Sequence, residues 1–303
     1  MKIGIPQGLL YSKYHIFAKT FFEELGAEII ISPDTNKRIL DEGVHSCVDE
    51  ACLPMKVFHG HVSWLKDKCD AILIPRFISI VEKQYICPMF CGLIEMVLND
   101  IPGLPPLIDT PIYSLKNDKL SEWAQKAGRT VTRDEKKIEA AYNEALTRYR
   151  SVAVGYNEDE YPLKIALIGH TYNISDRFIN MDIKNKLNRL GFGVITVDAI
   201  DRECIDAEID ELFKKPFWTF AREYYGAAVN ICKTCKADGI IYLSSFSCGV
   251  DSVVIELIQS EIGDFPFMTL KLDEHTGEAG ADTRIEAFSD MLNKRCRVGN
   301  HFS

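Results

Sequence analysis

The chain lacks several features that would place it in a simple class. No segment of its 303 residues approaches the roughly 18 apolar residues of a membrane-spanning helix. Its first residues, MKIGIPQGLLYSKYHIF, contain no apolar core of the roughly 7 to 15 residues typical of a secretion signal. We therefore expect a cytoplasmic protein without a membrane partner.

Basic charge and phosphate-binding motifs are also scarce. There are 35 Lys and Arg against 44 Asp and Glu, a net charge of −9, and no dense basic run. Because affinity for nucleic acid depends on neutralising phosphates, we expect no nucleic-acid partner. The motif G-x-x-x-x-G-K-[ST] is missing and the first predicted βα turn is not G-x-G-x-x-G. ATP hydrolysis by a P-loop is therefore not supported.

Cysteine is the unusual component of the composition. Ten cysteines in 303 residues fall well below the roughly 8 to 10% of secreted disulfide scaffolds. In a reducing cytoplasm such thiols are small hydrophobic side chains, reactive groups or metal ligands. Their positions in the predicted fold must separate these roles.

Strand and helix patterns alternate through both halves of the chain. This alternation predicts an α/β fold of two Rossmann-like, doubly wound parallel-sheet domains with a cleft between them. We expect an N-terminal domain with a linking helix over 1–155 and a C-terminal domain over 156–303. The predicted strands cover 2–6, 27–32, 71–75, 164–169, 193–197, 239–244 and 267–272.

Several details of this pattern make specific predictions. The uninterrupted run of isoleucines at 29–31 predicts a strand buried on both faces. Four prolines within 100–113 predict a long connecting loop. Thr132 and Glu135 form a capping box that predicts the start of the linking helix, and the last helix is expected from Thr283.

Three cysteines occupy positions where α/β folds bind ligands. Cys52 precedes a predicted helix, Cys87 precedes Pro88, and Cys248 follows a predicted strand and precedes a helix. Because ligands collect beyond the carboxyl ends of parallel strands, the three could meet at one cleft. They suit an iron–sulfur cluster whose remaining iron is open or has a non-cysteine ligand. Three buried thiols without a ligand role, or a zinc site at the same cysteines, remain alternatives.

Two histidines could supply a fourth ligand. His170 follows the first predicted strand of the second half, and it could equally donate a proton or anchor its loop. His275 lies among three carboxylates within 273–278, which could be acid–base machinery, a metal surrounding or favourable charge before the last helix.

The other cysteines have weaker signals. Cys232 and Cys235 have CxxC spacing but fall near the end of a predicted helix over 217–236, where they share a helix face. Cys91 could be an incidental thiol near the same cleft, and the sequence assigns no role to any of these three. The remaining thiols, which we interpret as packing residues, are Cys47, Cys69, Cys204 and Cys296.

Seven runs along the chain carry a family resemblance: GIPQGLLYSKY, FFEELGAEIIISPDTNKRIL, VDEACLPMKVFHGHV, ICPMFCGL, GHTYNISDRFINMDI, YLSSFSCGVDS and LDEHTGEAGADTRIEAF. Together they resemble the acyl-CoA dehydratase activase-related family, which is related to 2-hydroxyacyl-CoA dehydratase subunits and double-cubane cluster proteins. The resemblance implies a cluster held by Cys52, Cys87 and Cys248, either [4Fe-4S] or half of a double cubane.

The resemblance also implies a function. We expect an iron–sulfur protein that accepts and passes low-potential electrons. Its expected partners are an ATP-dependent activator protein and a second copy of the chain in a homodimer. Such a chain would act as a component of a reductase or a dehydratase-like enzyme. The alternatives are a non-redox module that binds acyl-CoA or a partner protein, and a zinc protein using the same cysteines.

Overall fold

The computed structural model describes residues 1–152 and 154–299. It divides the chain into two compact units. Unit 1 comprises Met1–Ala153 and Phe217–Thr219, and unit 2 comprises Val154–Pro216 and Phe220–Ser303.

Unit 1 is built on a parallel sheet of four strands in the order β2-β1-β3-β5. Its strands are β1 Lys2–Ile5, β2 Glu28–Ile31, β3 Ala71–Leu73, β4 Arg76–Phe77, β5 Leu107–Ile108 and β6 Pro111–Ile112. Its helices are α1 Tyr11–Glu24, α2 Lys37–Ser46, α3 Leu53–Leu65, α4 Pro88–Cys91, α5 Leu93–Asp100, α6 Asn117–Gly128 and α7 Glu135–Arg150. Strands β4 and β6 pair separately, also in parallel.

Unit 2 contains a second four-stranded parallel sheet, in the order β10-β9-β7-β8. The strands are β7 Leu163–Gly169, β8 Phe192–Thr196, β9 Gly239–Ser245 and β10 Phe267–Leu272. The helices are α8 Thr171–Ser175, α9 Ile183–Arg189, α10 Arg202–Asp210, α11 Thr219–Thr234, α12 Gly249–Ile262 and α13 Glu278–Gly299, with a 3₁₀ turn at Val197–Ala199. Strand β9 is buried along its whole length, as expected for an inner strand covered on both faces.

The two sheets share one strand order. Counting the four strands of each sheet along the chain, both run second, first, third, fourth. The order reverses direction between the first and third strands, and open parallel sheets bind ligands beyond the carboxyl ends of the strands at such a switch point. The switch point lies between β1 and β3 in unit 1 and between β7 and β9 in unit 2. These observations confirm the predicted α/β class with Rossmann-like parallel sheets.

Three local predictions from the sequence are wrong. The isoleucine run in β2 is only half-buried, because β2 is an edge strand. The proline-rich loop contains β5 and β6, whose two-residue strands are too short to produce a periodic signal. Helix α13 begins at Glu278 rather than at Thr283.

The start of α7 also differs from the predicted capping box. Asp134 is the N-cap, and its carboxylate accepts hydrogen bonds from the backbone N–H groups of Lys136 and Lys137. Thr132 instead accepts a hydrogen bond from the backbone N–H of Asp134. An aspartate two residues later satisfies the same free N–H groups and adds a favourable negative charge. Among the helices that the structure describes, none has the length and apolar character needed to cross a membrane.

Candidate functional site

Cys52 and Cys87 are both N-cap residues in unit 1. Cys52 has extended backbone angles, φ −66° and ψ 153°, and α3 begins at the next residue with a proline in its first turn. Cys87 precedes Pro88, the first residue of the short helix α4. Both residues are partly exposed, so a ligand can reach them. Neither thiol makes a capping hydrogen bond to its own helix.

Cys248 has the corresponding position in unit 2. It is the N-cap of α12 and follows β9 after a tight turn in which Ser247 adopts a left-handed conformation, φ 69°. Its backbone N–H donates to the carbonyl of Ser245 at 3.1 Å. The turn places a partly exposed thiol beyond the carboxyl end of β9, at the switch point of the second sheet.

His170 reaches the same point from the neighbouring strand. It follows β7 directly and is the N-cap of α8. The preceding residue, Gly169, has φ 141°, and a Cβ there would lie 2.3 Å from the carbonyl oxygen of Leu243 on β9. Glycine therefore allows the strands to approach closely and directs the chain into α8. The imidazole Nε2 lies 3.9 Å from Sγ of Cys248.

Asp251 completes a group of three potential ligands. It lies in the first turn of α12, and its Oδ1 is 3.2 Å from Nε2 of His170. The sulfur, imidazole and carboxylate atoms of Cys248, His170 and Asp251 all lie within 4.8 Å of one another, as in a metal-binding group. Asp251 is 0% exposed, and its Oδ2 has no hydrogen-bond partner in the described residues.

Two tyrosines surround the pair of His170 and Asp251. Tyr242, on β9, donates its hydroxyl hydrogen to Oδ1 of Asp251 at 2.9 Å. The hydroxyl of Tyr224, on α11, lies 3.1 Å from Nδ1 of His170. Burial raises the pKa of both phenols well above the usual value, so both remain neutral. Each ring nitrogen of His170 therefore has a polar neighbour.

The charges of His170 and Asp251 depend on each other. Burial alone would lower the pKa of His170, but the charge and hydrogen bond of Asp251 outweigh it and raise that pKa to about 9. Burial would raise the pKa of Asp251, yet His170 and the Tyr242 hydroxyl hold it below its usual value. The pair is an imidazolium and a carboxylate at neutral pH, and its positive charge lies beside the sulfur of Cys248.

The structure separates the two histidine candidates. His170 is buried beside Cys248, whereas His275 is exposed and belongs to neither group of potential metal ligands in the described residues. The Asp273 carboxylate accepts hydrogen bonds from the backbone N–H of His275 and the hydroxyl of Thr276. Asp273 therefore stabilises the turn after β10.

The CxxC pair lies at the C-terminal end of α11. Cys232 is in the last turn, and Cys235 follows the helix end with a left-handed φ of 53°. Burial, with a contribution from Cys235, raises the pKa of Cys232, the opposite of an activated thiol. The thiol of Cys91, at the end of α4, lies 3.7 Å from the carbonyl oxygen of Phe77.

Sequence reasoning did not identify Asp251, Tyr224 or Tyr242. Asp251 did give a signal, because it is a lone carboxylate three residues after Cys248 in an otherwise apolar helix start. A charged residue on the buried side of a helix is rare unless it is paired. The tyrosines gave no comparable signal, since buried aromatic residues usually serve the core.

Unit 1 has a pocket at its own switch point. The pocket has a cavity volume of about 50 Å³, is partly open to solvent, and lies next to the carboxyl ends of β1 and β3. Its mainly apolar lining includes Leu9, Tyr14, Phe58, Phe77 and Phe90. Its apolar lining suits a small apolar group.

Two parallel α/β sheets, with cysteine, histidine and carboxylate side chains at a switch point, define a Rossmann-like protein with a potential metal-binding site. The model of the family described as CoA enzyme activase uncharacterised domain (DUF2229) matches residues 2–200. Since this match covers more than half of the chain, the chain belongs to that family, as the resemblance indicated. Membership implies work alongside a partner enzyme. No curated protein matches the chain.

Proposed function

We propose that the chain is an iron–sulfur protein of the 2-hydroxyacyl-CoA dehydratase and activase group, which accepts and passes low-potential electrons. The ligands would be Cys52, Cys87 and Cys248. The observation that carries the proposal is their common position: each is a partly exposed N-cap cysteine in a chain of the CoA enzyme activase family.

The donor set fits such a group. Iron–sulfur clusters are held mainly by cysteine thiolates, and a set of three leaves one iron for another ligand. Helices α3 and α12 place the positive end of their dipoles next to Cys52 and Cys248. This charge favours a negatively charged cluster. A bound [4Fe-4S] cluster, or half of a double cubane, would supply one-electron transfer at low potential.

His170 and Asp251 would act on the ligand sulfur. Nε2 of the imidazolium lies 3.9 Å from Sγ of Cys248 and 3.2 Å from Oδ1 of Asp251, so its hydrogen faces both groups. Positive charge and N–H···S contacts stabilise a negative sulfur, and such contacts are among the features that tune cluster potentials. The pair is therefore a positioning device for Cys248.

The partner and the compartment follow from the same reasoning. The printed sequence contains no P-loop motif, so we propose a separate ATP-dependent activator as the electron donor. A homodimer would be the route to a bridged double cluster. All ten cysteines lie in the described residues and none forms a disulfide bond, which supports a reducing, cytoplasmic compartment.

Cysteine variants test this proposal directly. Cys52→Ser, Cys87→Ser and Cys248→Ser should each lose most of the bound iron and acid-labile sulfide after anaerobic purification, while circular dichroism stays that of the wild type. Cys69→Ser is the matched control, because Cys69 is also partly exposed and its thiol hydrogen-bonds backbone groups, donating to the carbonyl of Leu65. Unchanged iron content in all three variants would refute the assignment, and stoichiometric zinc in place of iron would favour a zinc site.

The apolar pocket of unit 1 favours a second candidate function, the binding of an acyl group. Ala18 lines this pocket, and Ala18→Phe would fill part of it. Acyl-CoA binding that weakens at least tenfold in this variant would support the candidate. Equal binding by wild type and variant in isothermal titration calorimetry would exclude this pocket as the acyl site.

A further inference from the structure

A second group of potential ligands lies within unit 1. It consists of Cys47, His59 and Asp100, whose ligand atoms all lie within 4.8 Å of one another. The three come from different helices: Cys47 is the C-cap of α2, His59 lies within α3, and Asp100 is the last residue of α5. Cys47 is 8% exposed and His59 is 0% exposed, so the group is inside the unit.

The hydrogen bonding of His59 identifies the free nitrogen. Its Nδ1 lies 2.7 Å from the carbonyl oxygen of Met55, and a carbonyl oxygen can only accept, so Nδ1 carries a hydrogen. In the neutral ring Nε2 is then an acceptor with an available lone pair. A backbone carbonyl bound to the distal ring nitrogen is also the usual arrangement around a metal-binding histidine.

In the neutral ring this nitrogen faces another acceptor. Nε2 of His59 lies 3.2 Å from Oδ2 of Asp100. Both atoms are buried, and neither has a hydrogen-bond partner in the described part of the chain. Two unsatisfied acceptors at this distance repel each other unless a proton or a cation lies between them. The third atom, Sγ of Cys47, is near enough to share a cation.

The helices that hold the group are fixed by close packing. A Cβ at Gly43 on α2 would lie 1.8 Å from the carbonyl oxygen of Lys56, and a Cβ at Gly60 on α3 would lie 1.9 Å from that of Ile39. Only glycine allows α2 and α3 to approach so closely. Cys47 is four residues from Gly43, and His59 is next to Gly60. The close packing therefore fixes the distance between Cys47 and His59.

We propose that Cys47, His59 and Asp100 form a metal site for a divalent transition metal, with zinc as the best match. Thiolate, imidazole and carboxylate are the ligands that zinc uses, with Zn–N and Zn–O bonds of about 2.0 to 2.2 Å. Tetrahedral geometry with such bonds separates the nitrogen and oxygen by about 3.3 to 3.6 Å. The distance of 3.2 Å between Nε2 of His59 and Oδ2 of Asp100 is close to the short end of that range. A water molecule would be the fourth ligand.

Cobalt binding tests the site on the intact chain. Purified protein is stripped with a chelator, and Co²⁺ is added under anaerobic conditions. The expected result is one Co²⁺ with tetrahedral ligand-field bands and a thiolate-to-cobalt absorption, displaced by one equivalent of Zn²⁺. Cys47→Ser should remove the thiolate band, and Asp100→Asn should weaken binding by more than about 100-fold.

Two controls separate this site from the proposed cluster. Cys69→Ser, in the same unit, should bind Co²⁺ like the wild type. Cys52→Ser should keep the thiolate-to-cobalt absorption but lose the iron of the proposed cluster. Cys47→Ser should lose that absorption but keep the iron. Asp100→Asn is the variant of choice if Cys47→Ser fails to fold, because Asp100 is the most exposed ligand. Equal Co²⁺ binding and equal spectra in wild type, Cys47→Ser and Asp100→Asn would overturn the proposal. Absence of Co²⁺ and Zn²⁺ binding to the wild type would overturn it as well.

Discussion

Replacement of Asp251 by Asn should remove the positive charge of His170 at neutral pH. In the wild type Asp251 raises the pKa of His170 to about 9, against the effect of burial. Asparagine keeps the shape and can still accept the hydrogen bond from Tyr242, but it carries no charge. Burial, the largest contribution, is then opposed only by the contact with Cys248, and the pKa of His170 should fall below its ordinary value of 6.5.

The raised pKa gives the size of the effect on stability. A rise from 6.5 to about 9 corresponds to about 3 kcal/mol, at about 1.4 kcal/mol for each pKa unit. Because the folded pKa lies above the unfolded one, this stabilisation is complete below pH 6.5 and is lost as pH rises through 9. At pH 6 the free energy of unfolding of the wild type should therefore exceed that of Asp251→Asn by about 3 kcal/mol. This difference should shrink above pH 9.

Two measurements on metal-free protein check this prediction. Nuclear magnetic resonance of the His170 ring gives its titration midpoint, and urea unfolding between pH 6 and 10 gives the free energy of unfolding. Asp290→Asn is the control, since Asp290 is exposed on α13. A His170 midpoint that is the same in wild type and Asp251→Asn would refute the assignment of a charged pair.

Three further predictions concern stability. Gly43→Ala should lower the free energy of unfolding in urea by at least about 2 kcal/mol, because its Cβ would lie 1.8 Å from the carbonyl oxygen of Lys56. Gly277→Ala has open space around its Cβ and should cost less than about 1 kcal/mol. Equal losses in the two variants would contradict the close packing of α2 and α3. Asp134→Ala should cost about 1 kcal/mol by thermal or urea unfolding, and no loss would exclude its capping role. Burial lowers the pKa of His61 to about 4, so stability should fall as pH drops from 6.5 to 4, and His61→Gln should remove that dependence in urea unfolding; an unchanged dependence would exclude His61 as its source.

Position in the fold was predictable where the signal was local. Cys52 and Cys248 were selected because each falls at a predicted helix start, and Cys87 because it precedes Pro88 after a strand and loop. All three are N-caps in the structure, although no helix was predicted after Cys87. A strand pattern followed by a helix pattern is contained in a few neighbouring residues, so one sequence is enough to reveal it. The prediction that Cys232 and Cys235 lie near the end of a helix also rested on a local pattern.

Contacts between distant residues were not predictable in this way. Cys47 had no local partner, and only the packing of α2, α3 and α5 brings His59 and Asp100 to it. The two-residue strand β5 depends on its pairing with β3 rather than on its own pattern. Such features arise from tertiary contacts, which no local periodicity records.

The most direct test of the central claim is the quantification of iron and acid-labile sulfide in the anaerobically purified wild-type chain. The proposed function predicts iron and sulfide in comparable, stoichiometric amounts, with the broad visible absorbance of an iron–sulfur cluster. A pure, folded preparation that contains neither iron nor sulfide, and that takes up neither on anaerobic reconstitution, would contradict it.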